Sequence, residues 1–117
     1  MSEPIYTLKA EFFKTLGHPA RIRILELLAE GEHSVTELMP ELGLESSHLS
    51  QQLAVLRRAG LVAARKSGNN VIYSMTSQDM AVLLLVARNV LTGLLTDQVG
   101  LLKDLQASGS ATLRVDR

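Results

Sequence analysis

A chain of 117 residues, 46 % hydrophobic but only 3 % aromatic, suits one domain with an aliphatic core, which favours helices over a β-sandwich. It contains no cysteine, so disulfides, thiolate metal sites and thiol redox switching are excluded. The formal net charge of zero hides a segregation: residues 1–45 carry eight acids and four bases (−4), whereas residues 46–75 carry Arg57, Arg58, Arg65 and Lys66 and no acid (+4). Such asymmetry marks either a local anion-binding surface or merely a solvated face.

The first helix is expected to start at Pro4, suited to a first helical position, and to run to about Leu16, with Leu8, Phe12 and Leu16 at four-residue spacing and Gly17 ending it. His18 stands in an N-cap place before Pro19. A second helix follows through "ARIRILELLAE", with Ile22, Leu25 and Leu28 on one face and Gly31 as its stop. Ser34-Val35-Thr36-Glu37 reads as a capping box that opens a short helix over Val35 to Leu42. Pro40 removes one of that helix's bonds and is expected to bend or shorten it. Gly43 closes the turn, and a fourth helix is expected from about Ser46 to Ala59, with Gly60 as a left-handed cap. "LVAARKSGNNVIYSMT" reads as a β-hairpin, with Gly68, Asn69 and Asn70 able to take positive φ. Thr76 and Asp79 resemble a weaker capping box for a last helix over about Gln78 to Ala107. The order is α-α-α-α-β-β-α: one mainly α domain over residues 1–108 with a small hairpin. Residues 109–117, small and polar without periodicity, are expected to be a flexible tail.

The fourth helix divides its labour. On a wheel of 100° per residue, Leu53 and Leu56 lie within about 40° of Leu49, a narrow core stripe. Ser47, Gln51 and Arg58 lie opposite, and His48 and Ser50 occupy the shoulders. A purely solvated helix usually carries Glu and Lys, yet residues 46–56 have neither. Short neutral donors and acceptors near a helix N-terminus suit approach to base edges in the major groove, while the helix dipole favours a nearby phosphate. "VTELMPELGLESSHLSQQLAVL" places Leu38, Leu42, Leu44, Leu49 and Leu53 to pack two short helices about a turn. The hairpin beside them is then a wing. Arg65 and Lys66 on its first strand either meet phosphates or guard a sheet edge.

On "LGHPARIRILELLAEG" and "SVTELMPELGLESSHLSQQLAVLRRAGLVAARKSGNNVIYSMT" the sequence resembles the ArsR/SmtB family of bacterial winged helix-turn-helix repressors, over about residues 5 to 105. The resemblance implies a homodimer held by the first and last helices. It implies a recognition helix in each half of a near-palindromic operator on double-stranded DNA, and release by an effector. Carried over by position, the DNA-facing set is Ser46, Ser47, His48, Ser50, Gln51 and Gln52, with wing contacts from Arg65, Lys66 and Asn69; Arg57 and Arg58 either join them or pair with an acid.

The departures concern sensing. Where many relatives place Cys-x-Cys, this chain has Ser34-Val35-Thr36, and where others place Asp-x-His at the start of the last helix it has Asp79-Met80-Ala81. A relative's His-x-x-Glu or His-x-x-His further along that helix falls here on Thr92 and Leu95. His18, His33 and His48 each read as a cap, a loop and a groove-facing residue, and no two are spaced three or four apart. No metal and no cofactor is expected, and the effector is unassigned.

In the last helix, Leu83, Leu84, Val86, Ala87, Val90, Leu91, Leu94 and Leu95 cover too much of the circumference for one small core. With Leu8 and Phe12 they form the expected dimer interface. Residues 80–102 are long and apolar enough to suggest a membrane span, but Arg88, Asn89, Asp97 and Gln98 are costly in a bilayer, and no membrane partner is expected. With no apolar leader visible, the chain is read as soluble and cytoplasmic. The alternative to a DNA-binding regulator is a winged-helix module that docks an acidic protein. An enzyme is not expected, since no nucleophile–base spacing, glycine-rich phosphate loop or paired acids are present.

Overall fold

The computed structural model describes residues 3–108, and the tail expected over 109–117 lies outside them. The elements are α1 (Ile5–Leu16), α2 (Pro19–Glu30), β1 (His33–Ser34), α3 (Val35–Leu42), α4 (Ser46–Arg58), β2 (Val62–Ser67), β3 (Asn70–Met75) and α5 (Gln78–Ser108). They fall into two compact units, one ending at Val82 and one beginning at Leu83.

The helix boundaries follow local chemistry. Pro4 stands one place earlier than expected, as the N-cap of α1, and its carbonyl accepts from the N–H groups of Thr7 (3.0 Å) and Leu8 (3.3 Å). His18 caps α2, its Nδ1 accepting from the Ala20 N–H at 3.1 Å, and Pro19 opens the helix. The capping box of α3 is present in full: Ser34 Oγ accepts from the Glu37 N–H at 3.2 Å, and the Glu37 carboxylate accepts from the Ser34 N–H at 2.9 Å. Pro40 sits inside α3 without shortening it, and Gly43, at φ 66° and ψ 26°, ends it in the left-handed conformation.

The first unit closes around α2, which contacts α1, α3, α4 and β3. That central place explains why α2 buries Ile24, Leu25, Leu27 and Leu28, a wider arc than the expected stripe, and leaves Ile22 half-buried. Leu16, Leu38, Leu49, Leu53, Leu56, Leu61, Val62 and Met80 complete the core, aliphatic throughout apart from Met80.

The sheet has three strands rather than the expected two, antiparallel in the order β1-β3-β2. β1 is only His33 and Ser34, paired with Tyr73 and Ile72, too short to leave an alternating pattern. Ser34 therefore ends a strand and caps a helix at once. Ser67 pairs with Asn70 across the two-residue turn Gly68-Asn69. Gly68 takes φ 64°, whereas no non-glycine described residue has positive φ, so the two asparagines do not use that freedom and the turn has the sign pattern of type II′.

At the start of α5 the cap is Ser77, whose Oγ accepts from the Asp79 N–H at 3.1 Å, not Thr76. Thr76 instead donates to the Gly60 carbonyl at 2.7 Å, and its N–H reaches the Leu61 carbonyl at 3.2 Å, fastening the end of β3 to the turn after α4. The second unit begins within α5. By length and composition this helix, over Gln78–Ala107, is long and apolar enough to cross a membrane.

Candidate nucleic-acid interface

Helix α4 is anchored by Leu49, Leu53 and Leu56, all fully buried. Their spacing turns Ser46, Ser47, His48, Ser50 and Gln51 outward, and each is exposed. Glu45 stands at the N-cap with extended backbone and, among the described residues, makes no side-chain cap hydrogen bond. The outward first two turns thus carry hydroxyls, an imidazole and a carboxamide, and no Asp, Glu, Lys or Arg. Arg57 and Arg58 occupy the last turn, exposed and favourably placed against the negative end of the helix dipole.

Gln52 does not belong to this surface. It is only 8 % exposed, and its Oε1 accepts from Arg21 Nε at 2.8 Å. The wheel contained the signal: Gln52 lies about 60° from Leu49, on the same side as Leu56. Its polarity and its neighbours in sequence suggested a base contact, and its angle does not.

In the wing, Arg65, Lys66 and Asn69 are exposed, but Arg65 is engaged. Its Nη2 lies 2.7 Å from Glu32 Oε1, an ion pair with half-exposed side chains. Arg65 is level with Ile72 on β3, and Ile72 with Ser34 on β1, so the guanidinium reaches across the sheet to the residue before β1. It braces the wing to the loop after α2. The +4 of residues 46–75 is therefore reduced in effect on this side by an acid from the N-terminal segment. Two further acids near the helix-turn-helix are met by one base from the same N-terminal segment: Arg23 lies 3.1 Å from Glu26 and 3.9 Å from Glu41.

The Glu37 carboxyl is held below its ordinary value, chiefly by the hydrogen bond from the Ser34 backbone N–H, opposed by slight desolvation and aided by His33 and the Ser34 hydroxyl. His33 Nδ1 lies 3.6 Å from that carboxylate, an attraction that operates when the imidazole is protonated. Among the described residues, no three His, Cys, Asp or Glu side chains gather to hold a metal ion.

The residues expected at a dimer interface divide. Leu8, Val86, Ala87, Val90, Leu91, Leu94 and Leu95 are exposed; Phe12, Leu83 and Leu84 are half-buried. Phe12 packs edge-to-face on Phe13, ring centres 5.2 Å apart, and Phe13 is the more open of the two. In each unit the exposed apolar residues go beyond those expected: Ile5 and Tyr6 on α1, and Val99 and Leu102 on α5, all four more than half exposed. The run of Leu and Val beyond residue 95 was the available signal.

Two short helices about a glycine turn, the second presenting an open polar face, with a three-stranded sheet ending in a basic hairpin, define a winged helix-turn-helix. Residues 18–64 match the family described as bacterial regulatory protein, arsR family. The HTH-type transcriptional regulator Rv0081 of Mycobacterium tuberculosis (strain H37Rv) is 66 % identical over 112 residues, 95 % of this chain and 98 % of that protein. The crystal structure of M. tuberculosis Rv0081 matches with a TM-score of 0.78 at 67 % identity, over 84 % of this chain and 99 % of that one. The crystal structure of the transcriptional repressor BigR from Xylella fastidiosa matches at 0.68 and 36 % identity, over 73 % and 87 % of the two chains. The solution structure of the homodimeric winged helix-turn-helix DNA-binding domain Mb0332 (fragment 1–100) from Mycobacterium bovis matches at 0.70 and 31 %, over 81 % and 91 %. The chain belongs to the ArsR family of HTH-type transcriptional regulators.

Proposed function

We propose that the protein is a homodimeric, cytoplasmic repressor that binds a near-palindromic operator through α4 and the β2–β3 wing, without a metal at the positions that metal-sensing relatives use. The observation that carries this reading is the exposed polar face of Ser46, Ser47, His48, Ser50 and Gln51, free of Asp, Glu, Lys and Arg and held outward by three fully buried leucines. Short polar side chains at the N-terminal turns of a helix leave room to enter the major groove and read it. Lys66 and Asn69 at the wing, with Arg57 at the end of α4, supply phosphate contacts that set orientation rather than sequence. Dimerisation is supported by the exposed apolar residues of α1 and α5, a surface that a lone chain in water would leave uncovered. Arg88, Asn89, Asp97 and Gln98 within α5 favour a second protein over lipid as its cover.

The test is selection of duplexes from a randomised pool by the full-length protein, followed by binding titrations over a salt series. A palindromic consensus is expected, bound with an affinity that falls steeply as salt rises. Gln51→Ala is expected to lose about 1–3 kcal/mol at one base pair in each half-site and little elsewhere. Enrichment of no sequence, together with capture of an acidic protein, would instead favour a protein-docking module.

A further inference from the structure

Packing of Leu49, Leu53 and Leu56 fixes how close α4 lies to the core. Apolar contacts are weakly directional and fix its rotation about its own axis less well. Rotation matters for reading bases. At a helix radius of about 5–6 Å, a turn of roughly 20° moves an exposed side chain by about 2 Å. That is enough to break a base-edge hydrogen bond.

One directional contact holds α4 from below. Arg21, on α2 and half-buried, donates through Nε to Gln52 Oε1 at 2.8 Å and through Nη1 to the Thr15 carbonyl at 3.0 Å. Thr15 lies in the last turn of α1. A single planar guanidinium, whose donors point in fixed directions, thus ties the end of α1, the start of α2 and the middle of α4 together. Gln52 follows Gln51 directly and lies one turn beyond His48, beneath the outward residues it would align.

We propose that Arg21 and Gln52 form a positioning latch for the recognition helix: they set its rotation, and through Thr15 they make that rotation depend on where α1 lies. This rests on the DNA-binding reading and adds to it a residue pair that touches no DNA. It also links α1, which carries part of the proposed dimer surface, to sequence discrimination.

The test uses full-length wild type, Arg21→Met, Gln52→Met and the double variant. Each is titrated with the duplex that wild type enriches from a randomised pool and with a scrambled duplex of equal length. The readout is the ratio of the two affinities. Each single change is expected to lower that ratio about tenfold, the scale of a hydrogen bond to a charged group. The double variant is expected to lose no more than the worse single one, since either change opens the same latch. Gln52→Glu keeps an acceptor for the guanidinium and is expected to restore the ratio, even if its charge weakens binding to both duplexes equally. Gln52→Met alters no charge and guards against a purely electrostatic effect of losing Arg21. Thermal unfolding accompanies each titration, and where a Met variant is not folded the Gln52→Glu ratio and Arg21→Lys, which keeps one of the two bonds, decide. In the Met variants, equal losses on both duplexes, additive single effects, or an unchanged ratio would each overturn the latch, as would a lowered ratio in Gln52→Glu. Wild type that enriches no duplex overturns the regulator reading itself; wild type that enriches one, bound as selectively by every variant, overturns the latch alone.

Discussion

Replacing Glu32 with Gln asks what the wing arginine does when DNA arrives. In the free protein Arg65 is held by Glu32 at 2.7 Å, with the two side chains 58 % and 49 % exposed. Exposed pairs of this kind are worth about 0.2–1 kcal/mol. If Arg65 leaves Glu32 for a phosphate, that cost is subtracted from binding in each protomer. Glu32→Gln then removes it and tightens operator binding by at most about fivefold per protomer. The slope of log affinity against log salt stays as in wild type, because the number of phosphate contacts is unchanged. If Arg65 instead stays on Glu32 in the complex, the substitution frees it to make a new contact, and the slope steepens by about 0.9 per protomer, about 1.8 per dimer. Arg65→Ala separates the cases from the other side: it flattens the slope by about 1.8 in the first and leaves it unchanged in the second. Fluorescence anisotropy with a labelled operator duplex at four or five salt concentrations measures both quantities. Unchanged affinity and slope in both variants would refute the placement of Arg65 beside DNA, and the ion pair would be a brace for the sheet and nothing more.

Leu53→Ala should cost about 2–5 kcal/mol, because the side chain is fully buried between α4 and the core; thermal unfolding at fixed protein concentration measures it. The α3 capping box should be acid-sensitive. Glu37 is held below its usual 4.5, so the stability it adds is fully present above the unfolded-state value and is lost as pH falls through the folded one. The melting temperatures of wild type and Glu37→Gln should therefore differ by a constant amount at neutral pH and converge in acid; a difference that persists there would refute the assignment. Leu94→Asp places a charge in the exposed apolar run of α5 and should shift sedimentation toward monomer with helical content retained. A dimer as stable as wild type would remove α5 from the interface.

Much of the architecture was legible because its signals are local. A histidine before a proline, a serine three residues before a glutamate and a glycine after each short helix name the caps by chemistry alone, and all three behave as the sequence indicates. What escaped the sequence depends on residues far apart in the chain. β1 exists because Tyr73 and Ile72 come to lie beside His33 and Ser34, and two residues carry no period. Thr76 and Ser77 are both plausible caps, and the choice between them falls to Gly60, whose carbonyl takes the threonine hydroxyl. Arg65 reads as a free cation until the sheet brings Glu32 to it across thirty-three positions.

Gln52 shows where the two kinds of signal conflict. A polar residue among Ser50, Gln51 and the arginines reads as part of a groove-facing set, and position within a family motif says the same. The helical angle says otherwise, because about 60° from a fully buried leucine is inside the packed arc of any helix on a core. A carboxamide there would cost about 1–3 kcal/mol if it were left without a partner. Its burial therefore requires a donor from another element, and Arg21, thirty-one residues earlier, is that donor. A leucine at this angle would pack at no polar cost; the glutamine adds a directional bond, on which the proposed latch rests. The two glutamines thus part ways: Gln51 faces outward, where the proposed reading sets it against a base, while Gln52 is buried and tied to Arg21 beneath it.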